Sequence, residues 1–216
     1  MKIVIVTMMA LMTGAAAQAG ETRHSAERTV TVCVEGVAPK TLLPIAKGIA
    51  SKMFAGIGVT IYWRQGLGDC LAQGIVVELT DNTPASLVPG ALAYAAPYEG
   101  THIRVFCDRI LKRHDPRLEA HLLAHVLAHE ITHLLQGICR HSDRGVMKAK
   151  WGLSDFSQMM LKSLPFTEDD IKLIYDGIVG RGAPPTASPR LLANPEFTGG
   201  YGAIVRYYRE NSSYRC

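Results

Sequence analysis

The run Asp115-Pro116-Arg117-Leu118-Glu119-Ala120-His121-Leu122-Leu123-Ala124-His125-Val126-Leu127-Ala128-His129-Glu130-Ile131-Thr132-His133-Leu134-Leu135-Gln136-Gly137 decides how this chain is read. From Leu118 to Gln136 there is no proline or glycine, and leucine and alanine dominate, so the spacing predicts one long helix. Asp115-Pro116 supplies a cap and a first-turn proline, and Gly137 supplies the residue that ends a helix in a left-handed turn. Residues four apart share a helix face, so His129 and His133 direct two imidazoles at one point. Glu130 leaves the helix on a neighbouring bearing, suited to a water on a metal ion rather than to the ion itself. A carboxylate in so apolar a helix is costly without a partner. The pattern HExxH also arises by chance, and the plainer alternative is a surface helix whose histidines are unrelated. A third histidine shortly after the glycine turn favours the metal.

Zinc at a catalytic site usually takes three protein ligands and leaves one position for water. The helix offers two, and His141, just past Gly137, is the candidate third. Cys139 is the alternative, because sulfur is also a good zinc ligand, and a glutamate from a later helix, Glu168, is a weaker one. His121 and His125 extend the same stripe by two turns and one. A second metal or a supporting role is open to them, but a core histidine bonded to backbone or solvent is the commoner case. Trp151 reads as packing beneath the site, and Cys139 or Cys216 could cap the metal or form ordinary disulfides.

His129-Glu130-Ile131-Thr132-His133, then Gly137, then His141-Ser142-Asp143-Arg144-Gly145-Val146-Met147 resembles the metzincin clan of zinc endopeptidases, particularly its matrixin-type members. The resemblance is strong over about Val126 to Trp151. It departs from the clan's HExxHxxGxxH in that Gly137 and His141 stand one and two positions later than the pattern requires. It implies that His129, His133 and His141 are zinc ligands, Glu130 the general base, and Met147 the apolar floor of a methionine turn. The stretch from Trp151 through Leu164-Pro165-Phe166-Thr167-Glu168-Asp169-Asp170-Ile171 is similar to little-characterised predicted bacterial zinc proteases. The fold implied is an α+β, metzincin-like zincin domain: a twisted mixed sheet of about four to five strands, an active-site helix and a mostly helical C-terminal part. In that clan an edge strand holds an extended peptide by strand addition, and the segment Tyr94 to Pro97 or its neighbour is the counterpart here.

The chemistry expected is hydrolysis of a peptide bond, with zinc activating water and Glu130 carrying the proton to the leaving amine. The substrate is then a protein or peptide. Two other classes remain: a non-catalytic zinc-binding exported protein, and a zinc amidase acting on cell-wall peptides. A structural zinc site would close with a fourth ligand and need no base, which weighs against the first.

Met1 to Ala19 reads as a secretory leader: Lys2, an apolar run from Ile3 to Met12, and Ala17-Gln18-Ala19 before Gly20. That run is well under the ~20 residues of a membrane span, and nothing after it is long and apolar enough. The product is expected to be secreted or periplasmic, with the leader at 1–19, a zinc protease domain at 20–180 and a polar tail at 181–216 rich in Pro, Gly, Ser, Arg and Tyr. The formal net charge of +4, without a basic stripe, argues against a nucleic-acid partner. Five cysteines (Cys33, Cys70, Cys107, Cys139 and Cys216) in an exported chain predict one or two disulfides and at least one thiol left over. Cys33 and Cys107 lie in strand-like runs and are candidates for plain burial.

Periodicity predicts strands over Thr29 to Glu35, Gly58 to Arg64 and Ile75 to Leu79, with a helix over Leu42 to Ala55. Tyr94 to Pro97 and His102 to Asp108 are expected to pair around Tyr98-Glu99-Gly100. The order is therefore β-α-β-β-β-β-α up to the zinc helix. Two helices follow, Ser154 to Lys162 and Thr167 to Gly177, the second opened by a hydroxyl and three acids at its positive end.

Overall fold

A computed structural model describes residues 28–182 apart from 69, 71–73, 86, 88–89, 98–99 and 113–114. The expected leader at 1–19 and the tail from 183 onward lie outside the described residues. The elements run β1 (Arg28–Gly36), α1 (Leu42–Ala55), β2 (Val59–Gln65), β3 (Ile75–Thr80), β4 (Ala93–Ala95), β5 (His102–Phe106), α2 (Cys107–Ile110), α3 (Pro116–Gln136), α4 (Leu153–Leu161) and α5 (Glu168–Gly182).

The five strands form one mixed sheet in the order β2-β1-β3-β5-β4. β1 pairs parallel with β2 and β3, β3 pairs parallel with β5, and β4 closes the edge antiparallel to β5. The sheet, the helix-rich second half and the α+β class are as the sequence predicts. The expected hairpin also forms, with Ala93 opposite Val105, Tyr94 opposite Arg104 and Ala95 opposite Ile103. β5 ends sooner than its apolar run suggested: Cys107–Ile110 turns into a single helical turn, which carries Cys107 into the core as a free thiol.

Alternation explains which face of the sheet is covered. Along β1, Val30, Val32 and Val34 enter the main core, as do Ile75, Val77 and Leu79 of β3. On the opposite face Glu78 and Arg104 stand directly across the β3–β5 ladder and form an ion pair with a 2.7 Å hydrogen bond. Cys33 projects to that same opposite face yet is fully buried, and a disulfide joins it there to Cys70.

α1 and α3 pack against each other over the covered face, α1 beside β2 and α3 beside β4 and β5. α3 starts where Asp115 accepts hydrogen bonds from the backbone N–H groups of Arg117 and Leu118, with Pro116 at its first position. It is buried on nearly every side. Leu122, Leu123, Leu127, Ile131, Leu134 and Leu135 are each at most 2% exposed, and burial of such a side chain contributes about 1.5–3 kcal/mol. A helix apolar all round belongs at the centre of a domain, and α4 and α5 complete the enclosure.

α5 runs further than its sequence pattern indicated, through Gly182. The added turn brings the Arg181 guanidinium to the carbonyls of Gly100 and Leu134, so it ties the β4–β5 connection to the C-terminal end of α3. A cation there also complements the helix dipole.

Candidate metal centre

His129 and His133 lie one turn apart near the end of α3. The helix stops at Gly137, whose backbone is left-handed (φ 67°) and whose N–H donates to the His133 carbonyl at 2.9 Å. That turn reverses the chain, so Ile138 to Ser142 passes beside the helix's last turn. The result is a three-histidine cluster: one ring nitrogen from each of His129, His133 and His141 lies within 4.8 Å of the others. Ring centroids are 4.6 Å apart for His129 and His133, 5.3 Å for His129 and His141, and 4.9 Å for His133 and His141. The two helical histidines are buried and His141 is exposed, so the cluster opens to solvent on the His141 side.

The tautomers follow from the partners. His129 Nδ1 lies 2.8 Å from the Val146 carbonyl and His133 Nδ1 lies 3.2 Å from the Ile138 carbonyl. A carbonyl only accepts, so each Nδ1 carries the proton and each Nε2 presents a lone pair. Those two Nε2 atoms face each other at 3.0 Å. Two lone pairs at that distance repel unless a cation or a shared proton lies between them. Burial pulls the His129 ring to about 4 and the His133 ring to about 3, and pulls His141 below its ordinary range as well. Neutral rings with inward lone pairs, held by outer hydrogen bonds to backbone carbonyls, are what a divalent metal such as zinc requires of imidazole ligands. The donor set therefore fits the ion.

Glu130 is 6% exposed, and its Oε2 atom is buried with no hydrogen-bond partner among the described residues. Burial pushes the carboxyl up to about 8. An orphaned buried carboxylate costs free energy on its own, and a neighbouring dication would favour its ionised form.

The segment Gly145-Val146-Met147 meets the cluster mainly through its backbone. Gly145 has φ 78°, and a Cβ on it would lie 2.2 Å from the Pro165 carbonyl oxygen, so only glycine fits. Val146 N–H donates to that same carbonyl at 3.0 Å, while its own carbonyl orients His129. Met147 is fully buried, and its carbonyl accepts the Ser142 N–H at 2.8 Å. Trp151 sets its ring edge-on to His129 at 5.5 Å and to His125 at 6.3 Å, packing beside the cluster.

Two alternatives are corrected by the structure. Cys139 is disulfide-bonded, which removes its sulfur from the list of ligands. Among the described residues, Glu168 is not part of the cluster. His125 is a core histidine: its Nδ1 donates to the His121 carbonyl at 2.7 Å and its Nε2 accepts the Leu164 N–H at 3.0 Å, leaving no nitrogen for a metal. His121 does not join a metal-holding group among the described residues.

Sequence reasoning read the start of α5 at Thr167 but missed the polar network that joins it to the neighbours of His141. Thr167 and Asp170 form a reciprocal cap at the start of α5, the Asp170 carboxylate accepting the Thr167 N–H at 2.9 Å while Thr167 Oγ1 accepts the Asp170 N–H at 3.2 Å. The other Asp170 oxygen accepts from Arg140 Nη1 and from Ser142 Oγ, both at 2.8 Å. Burial alone would raise the Asp170 carboxyl, but the bonds from Thr167, Ser142 and Arg140 outweigh it and hold the group below the usual carboxylate range. The signal in the sequence was a hydroxyl three residues before an acid; its links to Arg140 and Ser142 are contacts across 30 and 28 residues and have no local signature.

No protein-family model matches the chain, and no curated protein matches it. Among solved structures it is similar to an archaemetzincin from Methanopyrus kandleri, with TM-score 0.50 and 16% identity over 73% of this chain and 99% of the other. An archaemetzincin from Archaeoglobus fulgidus, solved with malonate, gives TM-score 0.47 and 13% identity over 67% and 99%. At these identities the first likeness speaks to fold alone, and it agrees with the sheet order and helix placement: the described residues have a metzincin-like α+β fold similar to that of an archaemetzincin.

Proposed function

We propose that the chain is an exported zinc-dependent endopeptidase, with His129, His133 and His141 as ligands, Glu130 as general base and Met147 as the apolar support of the site. The observation that carries this reading is the pair of Nε2 atoms 3.0 Å apart, each opposite an Nδ1 bonded to a backbone carbonyl and joined by a third imidazole, with Glu130 next in sequence to His129 and its buried Oε2 without a hydrogen-bond partner among the described residues. Zinc bound there would supply Lewis acidity, lowering the pKa of a water from ~15.7 to ~7 and polarising a carbonyl. The protein's own work is then to position and to move one proton. Val146 and Ile138 hold two imidazoles in the tautomer a ligand needs. Glu130, buried and next in sequence to His129, would take a proton from the attacking water and deliver it to the leaving amine, serving as base and then acid. Trp151, edge-on to His129, and the buried Met147 would keep the inner side of the site apolar, which would strengthen each electrostatic interaction there.

The substrate is a protein or peptide. An extended segment would add to the outer edge of β4, the last strand of the sheet, which packs against α3. Residues 20–180 would be the protease domain, and 1–19 its leader. Export is supported by the Cys33–Cys70 disulfide and by a second disulfide at Cys139, since such bonds persist in oxidising compartments. No helix among the described residues is long and apolar enough to cross a membrane.

The test is the zinc content of purified protein together with cleavage of a peptide panel that includes cell-wall peptides. Wild type and Cys139→Ala should each bind one zinc, and His141→Ala should lose it or bind it far more weakly. Full zinc binding by His141→Ala would overturn the ligand set. Zinc without peptide cleavage would mark a non-catalytic site, and cleavage confined to cell-wall peptides would mark an amidase.

A further inference from the structure

His129 and His133 each have an Nδ1 bond to a backbone carbonyl that sets the ring's direction; His141 has no such bond among the described residues. It is also the exposed member of the three, on a connection rather than a helix. Apart from its ring contacts with His129 and His133, its position is set through the backbone on either side of it. Both neighbours in sequence, Arg140 and Ser142, reach the same oxygen atom, Asp170 Oδ1, at 2.8 Å. Arg140 Nη1 also donates to Ser142 Oγ at 3.2 Å, closing a triangle across the base of His141. We propose that Asp170 is a positioning residue for the third metal ligand: its buried carboxylate clasps the residues before and after His141 and so fixes where that imidazole meets the ion.

Three features make Asp170 suited to this. It is fully buried, so the interactions are shielded from water, and it is held at its other oxygen by the Thr167 N–H at the start of α5. α5 in turn packs on α3, the helix that carries His129 and His133. The anchor for the third ligand is therefore rigidly connected to the first two, although 29 residues of sequence separate His141 from Asp170. Ser142 is fixed a second time by its N–H bond to the Met147 carbonyl. Partners that orient ligands in this way commonly change metal affinity by about 10–100-fold when removed.

The inference rests on the metal-site reading, and its experiment separates the two. Zinc affinity would be measured by competition with a chelator, and visible absorption recorded after Co2+ substitution, for wild type, Asp170→Asn, Ser142→Ala, Arg140→Gln and His141→Ala. Asp170→Asn should weaken zinc binding by about 10–100-fold and move the Co2+ spectrum towards that of His141→Ala. Ser142→Ala and Arg140→Gln, which each remove one corner of the triangle and leave Asp170 holding only one neighbour of His141, should shift both readouts in the same direction by less, and they serve if Asp170→Asn does not fold. Wild-type affinity and spectrum in the folded variants, with only the melting temperature of the metal-free protein lowered, would make Asp170 a simple helix cap and overturn the assignment alone. A wild type that takes up neither Zn2+ nor Co2+ would overturn the site reading and this assignment together.

Discussion

Gly177 of α5 lies against the carbonyl of Leu135 in α3 so closely that a Cβ on it would sit 1.6 Å from that oxygen. The two helices meet there backbone to backbone, two residues beyond His133, and nothing larger than hydrogen fits. Three residues on, Gly180 has open space around the same position.

That contrast gives the first prediction. Gly177→Ala must push α5 off α3, at a cost of about 1–3 kcal/mol or more for overpacking. Gly180→Ala, in the same helix, should stabilise by about 0.5–1 kcal/mol, because alanine restricts the unfolded chain without a clash. Urea unfolding midpoints of the two variants should fall on opposite sides of wild type. Equal midpoints would mean that the helices do not cross at Gly177.

His125 should make stability depend on pH. Burial first, offset in part by its bond to the His121 carbonyl, lowers its folded value from 6.5 to about 4. The unfolded chain therefore binds the extra proton between those values, so stability rises with pH across that window. Its contribution is complete above about 6.5 and disappears as pH falls towards 4, on the order of 3 kcal/mol for a shift of this size. Unfolding of metal-free protein from pH 7 to pH 4 should show a steeper fall for wild type than for His125→Gln. Parallel curves would show that His125 is not held neutral.

Glu130→Gln should bind zinc as wild type does and lose turnover by several orders of magnitude, since an amide cannot carry the proton. In metal-free protein above pH 8 the same variant should be more stable than wild type, because Glu130 ionises near 8 in a site that gives Oε2 no partner. The sign is set by a folded value raised above the ordinary 4.5, which costs stability increasingly as pH rises through that range. Undiminished peptide cleavage by Glu130→Gln would remove it from the chemistry.

The Cys33–Cys70 bond closes a loop with a sequence separation of 37 residues. The loop-entropy relation puts its contribution at about 4 kcal/mol. Cys33→Ala/Cys70→Ala should therefore lose stability on that scale while keeping its metal, because the bond lies on the sheet face away from α3. Loss of zinc affinity in the double variant would contradict that placement.

α3 was legible from its residues because its start, its end and its two histidines are all local: Asp115 caps, Gly137 turns, and a spacing of four aligns His129 with His133. The succession of strands along the chain was legible too, since period-two alternation is a local property, whereas their order in the sheet was not. β5 was read too long because an apolar run ending in Cys107-Asp108 fits a strand as well as a buried helical turn, and only packing decides. α5 was read too short because Gly177 looks like a stop, whereas here it is the residue that lets two helices touch.

The identity of a HExxH helix, its apolar surroundings and a nearby third histidine were thus determined by sequence alone, through spacing along one chain segment. Tertiary structure decided the rest: that Cys139 is committed to a disulfide, that Val146 and Ile138 set the tautomers of two imidazoles, that His125 is satisfied by Leu164, and that Asp170 reaches both neighbours of His141. Each of these depends on groups far apart in sequence meeting within hydrogen-bond distance. Such meetings are set by the packing of α5 and the connecting segments on α3, which no local pattern encodes.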